Sequence, residues 1–261
     1  MGSLISKFIS NPSRTLIESQ TFPFPKTSSY DINHEHFLYI KSLQCSVPCM
    51  FYTNSQSKFI IIYSHGNATD IGLTNNLLKK LSILLNTNII TYDYVGYGLS
   101  SGKPSEFGCI QSMNIVFDYV VNQGYLQQNI ILYGVSIGTG PSVDIASRIK
   151  NIKGLLLQSP YTSIVGVVSE STELLSFSVC SQDRNPNIFR NLEKIDLVVA
   201  PIIILHGTHD SLINISHAEK LCAKNLFHTK LIKVPFAGHN DIEQNHFDLI
   251  LKCLNELINF N

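Results

Sequence analysis

No run of about 18 uncharged apolar residues occurs in the chain, so no segment is long and apolar enough to cross a bilayer as a helix. Neither sign of charge is in excess, since 19 Lys and Arg stand against 19 Asp and Glu. The basic footprint of a nucleic-acid-binding protein is therefore missing. Cysteine occurs six times, at Cys45, Cys49, Cys109, Cys180, Cys222 and Cys253, never as a C-x-x-C pair and with no signal peptide ahead of it. Scattered thiols of this kind fit a reducing, cytosolic setting. There is no clustered set of metal ligands and no phosphate-binding loop, so the sequence implies no metal and no cofactor. Internal repeats, coiled-coil heptads and low-complexity tracts are also lacking.

What is present is apolar material in a regular order. Hydrophobic residues make up 44% of the 261 positions, enough for a sizeable core in one large or two small α/β domains. Residues 36–40 and 45–52 read as a strand pair. Residues 59–63 form a short continuous apolar run, the pattern of a strand covered on both faces. Further strands are expected at 88–92, 130–133, 155–157, 202–205 and 231–234, and helices at 71–85, 108–122, 137–149, 216–226 and 242–258. Leu73, Leu77, Leu81 and Leu84 recur at the spacing of a helix packed on a sheet. Strands alternating with helices predict an α/β fold, a mostly parallel central sheet with helices on both faces. Residues 161–199 interrupt the alternation and are expected to form a short cap.

Ligands of open parallel sheets sit at the carboxyl ends of the strands, and the polar residues at those ends stand out. The run at 130–133 leads into Gly134-Val-Ser136-Ile-Gly138. The run at 202–205 leads into His206-Gly-Thr-His209-Asp210, and that at 231–234 into Pro-Phe-Ala-Gly-His239-Asn-Asp241. A Gly-x-Ser-x-Gly pentapeptide by itself is weak evidence. Its placement on a strand-to-helix turn, followed by an acid and a base at two further strand ends, has a chemical reading. Ser136 is the candidate nucleophile, and flanking glycines leave room for the tight turn that projects its hydroxyl. A serine hydroxyl needs a base, which His239 would supply, and Asp210 would hold the imidazole in the required tautomer. His209 is an alternative base and Asp241 an alternative acid. Donors for a developing oxyanion are expected in the backbone N–H groups of Ile137 and of Asn67, which follows His65-Gly66. His65 and His206 read as loop-shaping residues.

With these residues in view, the chain resembles the α/β hydrolases, whose nucleophile, acid and base follow in this chain order. More narrowly it resembles the α/β-hydrolase-domain-containing protein 17 subfamily of membrane-attached protein depalmitoylases. The likeness rests on Tyr-Ser-His-Gly-Asn-Ala-Thr-Asp (63–70), Tyr-Asp-Tyr-Val-Gly-Tyr-Gly-Leu-Ser-Ser-Gly-Lys-Pro-Ser-Glu (92–106) and Tyr-Gly-Val-Ser-Ile-Gly-Thr-Gly-Pro-Ser-Val-Asp (133–144). It continues through Gln-Ser-Pro-Tyr-Thr-Ser (158–163), His-Gly-Thr-His-Asp (206–210) and Gly-His-Asn-Asp (238–241). It implies an α/β-hydrolase fold over 22–261, with nucleophile, acid and base on Ser136, Asp210 and His239. The implied activity is hydrolysis of acyl thioesters, with S-acylated membrane proteins as substrates. The cap, at 164–190, matches poorly. A carboxylesterase or monoacylglycerol lipase would use the same three residues, and an inactive membrane scaffold could keep the same fold. Nothing in the sequence fixes an oligomeric state.

Residues 1–21 read as a membrane-associating segment. Gly2 follows the initiator and Ser6 stands where an N-myristoylation signal requires Ser or Thr. Leu4, Ile5, Phe8 and Ile9 share one helical face before Pro12. The subfamily members known for depalmitoylation carry an N-terminal cysteine cluster instead, whereas no cysteine precedes Cys45 in this chain. The expectation is a peripheral protein on the cytoplasmic face of a membrane, attached through a lipid on Gly2. A single myristoyl chain binds weakly and reversibly, so Gly2→Ala should move most of the protein from the membrane fraction to the supernatant. Unchanged membrane association on fractionation would contradict the acyl anchor.

Overall fold

A computed structural model describes residues 21–22, 27–42, 45–170 and 188–260. Gly2 and the N-terminal segment up to residue 20 lie outside the described residues, as does 171–187 of the expected cap. The expected strand pair is present as β1 (Phe37–Lys41) and β2 (Ser46–Tyr52), antiparallel to each other. The chain then alternates through β3 (Ile60–Ser64), α1 (Asn75–Leu85), β4 (Asn88–Tyr92), α2 (Glu106–Asn122), β5 (Ile130–Val135) and α3 (Thr139–Arg148). It continues through β6 (Gly154–Gln158), α4 (Ile164–Glu170), α5 (Asn191–Lys194), β7 (Ile202–Gly207) and α6 (Ser216–Lys224). The last elements are β8 (Thr229–Val234), α7 (Asp241–Asn245) and α8 (Phe247–Ile258).

The eight strands form one sheet in the order β1-β2-β4-β3-β5-β6-β7-β8. β2 pairs with β4 antiparallel, and β4, β3, β5, β6, β7 and β8 run parallel. Successive side chains on a strand point to opposite faces, and both faces are covered. Ile60, Ile62, Leu132, Leu155 and Leu157 pack into one buried cluster with α2, α3 and α6. Ile61, Tyr63, Ile131, Tyr133 and Leu156 pack into another with α1 and α8. Burial on both sides explains why the central strands are continuous apolar runs. This is the α/β-hydrolase fold.

Two expectations need correction. The buried face of α1 consists of Leu78, Leu81, Ser82 and Leu85, whereas Leu73 and Leu84 are exposed. The helix begins at Asn75 because Asp70 takes the N–H groups of Gly72 and Leu73 on Oδ1, at 3.1 and 3.2 Å, and bends residues 71–74 into a turn. Asn86, left-handed at φ 49°, ends it. The expected helix at 242–258 is divided into α7 and α8 at His246.

Candidate active site

β5 delivers its last residue, Val135, to the carboxyl edge, and Ser136 follows in the left-handed region at φ 50°. A non-glycine residue there costs roughly 1–3 kcal/mol unless its surroundings over-determine it. The surroundings do so through close backbone approach. A Cβ on Gly138 would lie 2.2 Å from the Ser64 carbonyl oxygen of β3, and one on Gly134 would lie 2.6 Å from the Gly138 carbonyl oxygen. With both glycines in place, α3 starts directly beneath the turn, and the Ser136 side chain emerges above the sheet edge.

The structure brings Ser136, His239 and Asp210 together from three loops. Ser136 Oγ lies 3.0 Å from His239 Nε2, and His239 Nδ1 lies 2.7 Å from Asp210 Oδ2. An ionised carboxylate only accepts, so Nδ1 carries the proton and Nε2 is left to accept from the serine hydroxyl. The Asp210 side chain is fully buried and that of His239 is 13% exposed. Asp210 Oδ1 accepts the N–H groups of Leu212 at 3.0 Å and Ile213 at 2.8 Å. Burial pushes this carboxyl up, but the donors from His206, His239 and Ile213 and the charge of His239 outweigh it. They hold the group well below the usual carboxylate range.

The open alternatives resolve on geometry. Asp241 Oδ2 accepts the Gly238 N–H at 2.7 Å and so shapes the turn that carries His239. His209 is exposed, lies 3.1 Å from Thr208 Oγ1 through its Nδ1, and packs its ring 5.4 Å from Phe236. A Cβ on Gly66 would lie 3.9 Å from Ser136 Cβ, so the turn carrying Asn67 stands beside the serine. Neither the Asn67 nor the Ile137 N–H takes part in the backbone hydrogen bonds of the turns and loops among the described residues.

Sequence reasoning missed three contributions. His206, read as loop-shaping, donates from Nε2 to the Ile213 carbonyl at 2.8 Å and lies 3.4 Å from Asp210 Oδ2, so it serves the acid directly. Its place four residues ahead of Asp210 was the available signal. His65 Nδ1 donates to the Gly66 carbonyl at 2.8 Å, and its Nε2 faces the buried Asp93 Oδ1 at 3.3 Å. Asp93 in turn accepts from the Tyr30 hydroxyl, a partner 63 positions away that no local pattern announces. His217 is buried and accepts the Thr162 N–H at 3.2 Å, tying the start of the cap region to α6.

Sheet order, serine turn and hydrogen-bonded trio define an α/β hydrolase. No family model matches the chain. It is 38% identical over 188 residues to the Caenorhabditis elegans alpha/beta hydrolase domain-containing protein aho-3, covering 72% of this chain and 54% of that one. It is 36% identical over 199 residues to the human alpha/beta hydrolase domain-containing protein 17B, covering 76% and 66%. The match to Xenopus tropicalis protein 17C is 38% over 197 residues, covering 75% and 61%. The chain belongs to the alpha/beta hydrolase domain-containing protein 17 family. The matches span 54 to 66% of the length of these relatives. Among solved structures, a Pyrococcus furiosus esterase aligns with a TM-score of 0.70 at 16% identity, covering 91% of this chain and 95% of the esterase. A monoacylglycerol lipase of Paleococcus ferrophilus aligns with a TM-score of 0.62 at 15% identity, covering 81% and 99%. At these identities the likeness concerns the fold.

A pH dependence of stability follows from Asp210. Its folded carboxyl titrates below the unfolded one, so its stabilisation is complete above the unfolded value of about 3.9 and is lost as pH falls toward the folded value. Thermal melts between pH 7 and pH 3 should show a falling Tm that is shallower in Asp210→Asn. Parallel slopes for the two proteins would contradict the assignment.

Proposed function

We propose that the protein is a serine hydrolase of acyl thioesters that removes long-chain acyl groups from S-acylated proteins at a membrane surface. The observation that carries the reading is the continuous hydrogen-bonded path from Ser136 Oγ through His239 to the buried Asp210 carboxylate. Ser136 Oγ attacks the acyl carbonyl while His239 Nε2 takes the hydroxyl proton. Asp210 stabilises the resulting imidazolium without accepting the proton. The carbonyl oxygen, now negative, is met by the N–H groups of Asn67 and Ile137, donors of a kind worth about 3–4 kcal/mol each. Collapse of the tetrahedral species breaks the carbon–sulfur bond, and the departing thiolate recovers the proton from His239. Water then adds to the acyl-serine with His239 as base, and a second collapse releases the fatty acid and restores Ser136.

The choice of substrate class draws on two supports. Family membership favours the depalmitoylase activity implied by the sequence resemblance. The Gly2 signal would place the enzyme on the cytoplasmic surface where S-acylated proteins reside. The relatives' greater length leaves substrate selection to be tested on this chain itself.

A fluorophosphonate probe should label the purified protein, and Ser136→Ala should abolish labelling and lower kcat by at least about 10⁴-fold. Turnover of a palmitoyl-cysteine peptide should exceed that of a monoacylglycerol of the same chain length. Exclusive turnover of the glyceride would replace the depalmitoylase reading with that of a lipid esterase.

A further inference from the structure

Asn67 and Ile137 are each tied to one of two adjacent residues near the N-terminus, Asn67 to Thr21 and Ile137, through intervening rings, to Phe22. Asn67 Nδ2 donates to the Thr21 carbonyl at 2.6 Å. Its Oδ1 accepts from the Tyr97 hydroxyl at 2.7 Å and from the Ala68 N–H at 3.1 Å. Ala68 is held left-handed at φ 53°, so this one side chain fastens a strained turn at three points.

The second tie begins at Phe22, which is only 3% exposed. Its ring meets that of Phe189 edge-on at 6.3 Å, and Phe189 meets Tyr161 edge-on at 6.2 Å. The Tyr161 hydroxyl donates to the Ile137 carbonyl at 3.2 Å. Phe189 is itself fixed: it is fully buried, and its N–H donates to Glu106 Oε1 at 2.8 Å. A Cβ on Gly140, one turn beyond Ser136, would lie 2.4 Å from the Phe189 ring, so the ring seats directly on the first turn of α3.

We propose that Thr21 and Phe22 are positioning residues for the oxyanion donors, so that these two residues are a working part of the site. The inference rests on the hydrolase reading above. An oxyanion hole acts only if its donors are already aimed when charge develops, and a misplacement of about 1 Å can cost about 100-fold in rate. Thr21 restrains the turn of Asn67 by a hydrogen bond, and Phe22 restrains Ile137 through two rings and a hydroxyl. Phe22 is buried and Thr21 half-buried, so their contribution is to hold the turns in place. Their loss should lower kcat and leave KM nearly unchanged, because the donors act on the transition state more than on the bound ester.

The test uses the full chain and the soluble ester p-nitrophenyl butyrate, with kcat, KM and Tm measured for Phe22→Ala, Tyr161→Phe, their double variant and Ser136→Ala. Each single variant should lose about tenfold in kcat with KM within twofold. The double variant should be no more than about twofold slower than the weaker single variant, since both interrupt one chain of contacts. If Phe22→Ala does not fold, Phe22→Leu takes its place, keeping an apolar side chain while removing the ring. A folded Phe22 variant with kcat within twofold of wild type overturns the proposal, as does a double variant whose losses multiply or an effect confined to KM. Turnover that survives in Ser136→Ala overturns the hydrolase reading instead.

Discussion

A serine in left-handed backbone, squeezed between two elements that nearly touch, is the constraint on which the site depends. Ser136 holds φ 50° only because β5 and α3 meet with no side chain at Gly134 or Gly138 to separate them. Relaxing that turn would lower the local energy and withdraw the hydroxyl from His239. Packing on both faces of the sheet resists the relaxation, since Leu132 and Tyr133 on β5 and Val143 on α3 are fully buried. Core packing is thereby converted into the placement of one oxygen atom.

Electrostatics completes what packing begins. Two buried His–Asp pairs lie at the same sheet edge, with different partners. Asp210 is shared between His239 and His206, and two backbone N–H groups complete its shell, so a charge in a dry setting is well satisfied. Asp93 faces His65, accepts from Tyr30 and takes the Ile71 N–H at 3.1 Å, fixing the turn that presents Asn67. The first pair faces the serine, whose Oγ lies 3.0 Å from His239 Nε2, and the second is fully buried. Position relative to Ser136, more than residue type, separates a candidate base from a structural histidine.

Much of this was legible in the sequence, and the exceptions share a cause. The parallel strands were readable because a strand covered on both faces tends to be a continuous apolar run, as at Ile60–Ser64 and Ile130–Val135. Ser136, Asp210 and His239 were readable as a group because each lies within a few residues of the carboxyl end of a strand. Leu81 and Leu77 face the core as expected, whereas Leu73 was misplaced because Asp70 captures backbone N–H groups and delays the helix, an interaction that leaves no trace in apolar spacing. Tyr30 on Asp93 and Phe22 on Phe189 are contacts between distant segments, visible only once the chain is folded. Within the cap expected at 161–199, the described part holds α4 and the short α5.

The most direct measurement is the mass of the covalent intermediate. Rapid acid quench of the protein with a palmitoyl-cysteine peptide, followed by proteolysis and mass spectrometry, should place one acyl group on the fragment containing Ser136. That adduct should be absent in Ser136→Ala and strongly reduced when His239, the base for its formation, is replaced by Ala. Turnover with the acyl group on any other residue, or undiminished turnover without Ser136, would contradict the account.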